Sequence, residues 1–199
     1  MLMRKKETFH DIDGLLDSNG FDRLDVIIRK HRFIETDEPW LVCDLYINGK
    51  SLIKMIRKKE KRFVFARKRS LGYAGLPPEN ALLPENATFI DTDDRNLYLS
   101  PDGRVQTVVC DACGEADCNT IPVRITVTDS HVLWTEIGTP ETKIGPFTFD
   151  RRQYEQVLDY KTAFYRSAYF YSNGIYVRKN KKMMQEMLEK ALLAGQKGE

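Results

Sequence analysis

Hydrophobic and polar positions alternate twice near the start of the chain. Across Leu24–Phe33, Val26 and Ile28 share one face and Ile27 lies opposite, which predicts a strand. Residues 35–39, ETDEP, make a turn. Across Trp40–Ile47, Leu41, Cys43, Leu45 and Ile47 share one face of a second strand, and Asn48-Gly49 then supplies a tight turn. The period next changes. Ser51 can cap a helix in which Leu52, Ile53, Ile56, Phe63 and Val64 fall within about 120° of arc. Lys and Arg occupy the other side. The helix is expected over 52–69, although Phe63-Val64-Phe65 can equally begin a strand.

Residues 70–103 carry Pro77, Pro78, Pro84 and a Pro101-Asp102-Gly103 turn, and are expected to be loop. A stretch that long often carries function. Alternation returns at Val105–Cys110 and at Val123, Ile125 and Val127. Asp129-Ser130 then turns the chain into His131–Ile137, a hairpin partner. Residues 138–145 read as a linker. Asp150 and Gln153 form a capping-box pattern, Asp-x-x-Gln, opening a helix with Tyr154, Val157 and Leu158. An aromatic stretch, 164–176, reads as a hairpin. The helix expected at 181–194 presents Met183, Met184, Met187 and Leu188, and Gly195 stops it.

Short strands and hairpins with about three helices, without regular strand–helix alternation, predict an α+β fold with a mainly antiparallel sheet. No glycine-rich phosphate loop follows a strand, which argues against a doubly wound parallel fold. The expected organisation is a flexible segment at 1–22 and a single α+β domain at 23–199, with helix 181–194 as a docking appendage.

Composition narrows the class further. With 199 residues, 42% hydrophobic and 30% charged, the chain is neither low-complexity nor a disulfide-dense scaffold. A chain this long buries about 70% of its unfolded surface and needs no metal merely to fold. The net charge of +2 conceals strong polarity. Residues 54–69 hold nine basic residues and one acidic, and 178–199 hold six and three, leaving −9 on the remainder. No signal sequence and no run near the roughly 20 apolar residues of a membrane span is visible, so a cytoplasmic protein is expected.

Three of the four cysteines fall within nine residues: Cys110, Cys113 and Cys118. The Cys110-x2-Cys113 spacing lets two thiolates meet one zinc from a tight turn, and Gly114 permits that turn. Cys118 is a third ligand. His131 is the expected fourth, because it begins the strand returning towards the loop; Asp117 and Cys43 are alternatives. The competing readings are plain reduced thiols or a redox pair. Asp111, Glu115 and Asp117 weigh against a redox pair, because negative charge raises a thiolate's pKa.

The second candidate is the basic face formed by Lys54, Arg57, Lys58, Lys61, Arg62, Arg67, Lys68 and Arg69. It can track phosphates, or it can be a solvated face answering the chain's own acidic surface. Asp91, Asp93 and Asp94 hint at calcium, but an EF-hand loop needs Gly where Asn96 stands and Glu where Asp102 stands. No catalytic triad or HExxH motif is visible.

Two segments carry a resemblance. One is the cysteine loop followed by VRITVTDSHVLW. The other is Gly145-Pro146-Phe147-Thr148-Phe149-Asp150, with Gln153 and Tyr154 after it. Together with INGKSLIKMIR and YAGLPPENALLP, they resemble an uncharacterised family of small bacterial cytosolic proteins over residues 24–158. The family loop often has one residue between its first two cysteines, and here there are two. The resemblance implies no activity. Three function classes follow, in order. The first is a non-catalytic module that binds another protein and is stapled by a cysteine loop holding structural zinc. The second is a nucleic-acid-associated protein using the basic helix. The third is a thiol-redox or metal-dependent enzyme.

Overall fold

The structure is a computed structural model, and it describes residues 20–35, 39–60, 72–82, 89–90, 98–159, 161–164 and 166–167. Alternating apolar positions build β1 (Leu24–His31) and β2 (Trp40–Ile47), which pair antiparallel along their whole length. Asn48 and Gly49 both take positive φ, 50° and 72°, and turn the chain tightly into β3 (Lys50–Ser51). Ser51 Oγ accepts from Lys54 N at 3.4 Å at the start of α1 (Leu52–Glu60). Leu52, Ile53 and Ile56 bury the apolar face of α1, as its periodicity predicts.

The loop-rich region contains two short elements that the sequence pattern does not reveal. These are β4 (Tyr73–Gly75) and α2 (Pro78–Ala81), the latter opened by proline at its first turn. The strand expected at 105–110 is two: β5 (Val105–Gln106) and β6 (Val108–Cys110). Thr107 separates them, fully buried, with both its N–H and its hydroxyl donating to Ile121 O. The chain then forms β7 (Pro122–Val127) and β8 (His131–Thr135), the expected hairpin. Next come β9 (Phe147–Asp150), which the sequence reading did not separate from the helix start, and α3 (Arg151–Leu158). The Asp150 carboxylate accepts from Gln153 N at 2.8 Å, so the predicted cap is present.

The architecture is therefore α+β, with antiparallel sheets of short strands. The pairings run in a ring. β1 pairs with β2, Cys43 of β2 bridges to Leu76 just after β4, and β4 pairs with β6. β5, continuing from β6, pairs with β7, then β7 with β8 and β8 with β9. Asp22 closes the circuit: its N–H donates to Thr148 O, and its carboxylate accepts from Thr148 N. Asp22 belongs to the segment that the sequence reading assigned to the N-terminus. Inside lies a core that includes Trp134, Tyr154, Phe89 and Phe149, packed edge-on and tilted. Arg166 and Ser167 fasten β1, where Ile28 N donates to Ser167 Oγ at 2.8 Å and Arg166 pairs with buried Asp25.

The N-terminal segment to residue 19, Asp91, Asp93 and Asp94 lie outside the described residues. So do the aromatic stretch beyond 167, the 181–194 helix, and Lys61, Arg62, Arg67, Lys68 and Arg69.

Candidate metal centre

β6 ends at Cys110, and the chain must reverse to reach β7 at Pro122. The reversal is a hydrogen-bonded turn. Gly114 N donates to Cys110 O and Cys110 N donates to Glu115 O, each at 3.0 Å. Gly114 takes φ +81°, where a side chain would be strained. The turn folds three side chains towards one point: the sulfurs of Cys110, Cys113 and Cys118 lie within 4.8 Å of one another. A metal ion can be held there. All four cysteines are free thiols.

The cluster is graded from inside to outside. Cys110 is buried, Cys113 half-buried and Cys118 exposed. Burial alone would raise the Cys110 thiol. The backbone N–H groups of Cys113 and Ala112, and the Cys118 and Cys113 thiols, all point at its sulfur and together hold it below the ordinary range. Cys118 shows the converse. It donates into the same cluster, so losing its proton is disfavoured and its thiol is pushed up to about 11. Without metal, Cys110 thus gives up its proton more readily than Cys118, whose proton is held within the cluster. A metal ion replaces those protons with a single cation.

Three segments grip the turn from outside. Ile34 N donates to Asp111 O and Glu35 N to Ala112 O. Phe33 lies under Gly114, where a Cβ would meet its ring at 3.5 Å. Asp111 N donates to Gly72 O, and a Cβ at Gly72 would stand 2.2 Å from Asp111 Oδ2, so the approach requires glycine. His31, at the end of β1, brings Nε2 to 2.8 Å from Asp111 Oδ1, although the ring N–H is not aligned for a hydrogen bond. Burial and the Arg29 guanidinium lower the His31 pKa against the opposing pull of Asp111, so the imidazole is neutral at neutral pH.

His131 is not part of this centre. β8 does return towards the loop, but His131 is its far end, opposite Asp150 and beside the 128–131 turn. The residue that meets the loop end of β7 is Gly138, whose N–H donates to Pro122 O. The five residues of β8, His131–Thr135, alone span about 13 Å, and they carry His131 away from the loop end. The His131 Nδ1 faces the hydroxyls of Thr128 and Ser130 instead. Cys43, the alternative, is buried on the core face of β2. Asp117 accepts from Gln106 Nε2 at 3.4 Å. Sequence reasoning missed His31, Gly72 and the 33–35 segment, which local pattern does not connect to a loop some 40 to 80 residues away.

Of the basic face, Lys54, Arg57 and Lys58 are exposed on α1. Among the described residues, Ile34 and Trp40 are the large apolar side chains that stand exposed, 77% and 50%. Ile34 is hydrogen-bonded to the cysteine turn, and Trp40 packs edge-on against Phe33. No helix among these residues is long and apolar enough to cross a membrane. No protein-family model matches the chain, and neither a curated protein nor a solved structure does.

Proposed function

We propose that Cys110, Cys113 and Cys118 hold a zinc ion, and that the ion staples the β6–β7 turn of a non-catalytic cytoplasmic module that binds another protein. The observation that carries this reading is the convergence of three thiols within 4.8 Å, with two backbone N–H groups aimed at the innermost sulfur. Soft thiolate donors favour zinc over magnesium or calcium. N–H groups directed at sulfur stabilise the deprotonated ligand before the ion arrives. The staple would fix the turn that Phe33, Ile34 and Glu35 lean on. Exposed Ile34 and Trp40 flank it and supply apolar area for a partner.

Thiol labelling tests the zinc reading. Purified protein should label slowly at Cys110, Cys113 and Cys118, and rapidly after a zinc chelator is added. Equal rates with and without chelator would contradict it.

A second reading rests on α1, which buries Leu52, Ile53 and Ile56 and exposes Lys54, Arg57 and Lys58. That face suits phosphate contacts with nucleic acid. Such binding would weaken steeply with salt, and substitution of Lys54, Arg57 and Lys58 by Gln would flatten the salt slope.

A further inference from the structure

A tetrahedral ion takes four donors, and the cysteine turn offers three. The chain has one other cysteine and three histidines. Cys43 is buried in β2, hydrogen-bonded through its backbone to Leu76. His131 stands at the far end of the β7–β8 hairpin. His31 is held between Arg29 Nη1 at 3.0 Å and Asp111 Oδ1 at 2.8 Å. His10 lies outside the described residues.

Charge argues against a carboxylate in the fourth place. Three thiolates around a divalent ion already leave one net negative charge. Asp111, Glu115 and Asp117 crowd the same loop, and no Lys or Arg occurs between Val105 and Val123. A fourth anion would add like charge to like charge. A neutral donor adds none. The exposed side of the cluster, at Cys118, is open to such a donor. Asp117, next to Cys118 in the chain, is met by the amide of Gln106, which is only 8% exposed and keeps Oε1 buried with no hydrogen-bond partner among the described residues.

We propose that a divalent ion in this centre takes its fourth ligand from solution as a neutral molecule: water at rest, and an imidazole when one is offered. The proposal rests on the metal-holding reading above. It makes the centre an exchangeable binding position on the protein surface rather than a closed four-residue site.

The test loads the full-length chain with cobalt(II), whose absorption reports thiolate ligation and coordination geometry separately. Titration with imidazole should shift the ligand-field bands saturably, while the thiolate-to-cobalt band keeps its intensity. Ligand-field bands unmoved by imidazole would overturn the proposal, and so would loss of both bands, which means extraction of the ion. Two single variants, His10→Ala and Cys43→Ala, should each leave the cobalt spectrum unchanged. A changed spectrum in either of them identifies a fourth protein ligand and overturns the proposal. No thiolate band on adding cobalt would overturn the metal reading itself, a result distinct from the others.

Discussion

The aromatic core and the cysteine turn solve the problem of buried polar groups in opposite ways. Around Trp134, the polar atoms of Trp134 and Tyr154 are both answered. Its Nε1 donates to Tyr154 Oη at 3.0 Å, and that hydroxyl donates to Phe89 O at 2.8 Å. Around the turn, the account stays open. Among the described residues, the buried side-chain polar atoms without a hydrogen bond are His31 Nε2 and Gln106 Oε1. Both belong to residues that touch the turn, through Asp111 and Asp117. His31 Nε2 still faces Asp111 Oδ1 at 2.8 Å, whereas a buried acceptor left unpaired, as Gln106 Oε1 is, costs about 1–3 kcal/mol. The difference separates a region whose buried polar side chains are paired with one another from one in which a buried acceptor and three thiols are gathered at a single turn.

That contrast is broken most forcefully at the core. Trp134→Ala should cost about 3–5 kcal/mol in urea unfolding, equally with and without zinc, because the core owes nothing to the ion. Cys110→Ser should do the reverse. At zinc a hundredfold above the dissociation constant, wild type should gain about 2.7 kcal/mol over its chelated form, and the variant should gain almost nothing. Thermal melts with and without chelator read both effects.

Protonation sharpens the comparison further. The Cys118 thiol, raised to about 11 by its bonds to Cys110 and Cys113, is protonated at neutral pH and must release its proton to bind metal. Zinc affinity should therefore rise with pH below about 11, roughly tenfold per unit for each proton released. Cys110, held low, stops contributing to that slope at a lower pH than Cys118. Competition titrations against a chelator of known affinity across pH would show it. The smallest effect belongs to the frame. Asp150→Ala removes the cap of α3 and should cost about 1 kcal/mol, again without regard to zinc.

Local pattern made much of the frame legible. β2 spans Trp40–Ile47 as its alternation predicts, and the Asp150 cap and the buried face of α1 follow from three or four residues each. Elements of two to four residues were not legible: β3, β4 and β9 are too short to show a period, and long-range partners define them. The site divides in the same way. Cys110, Cys113 and Cys118 converge because one turn carries all three. His131 failed because a hairpin's direction was read without its length. His31 was invisible because its approach to Asp111 depends on how β1 packs against a loop formed 80 residues later.

The central claim is that the three cysteines together hold one metal ion. Elemental analysis of the purified, untagged chain beside its Cys110→Ser, Cys113→Ser and Cys118→Ser variants tests it most directly. About one zinc per wild-type chain is expected, and a marked loss in each variant, with the folded far-UV spectrum retained. Wild-type protein without zinc, and unable to take it up when supplied under reducing conditions, would contradict it.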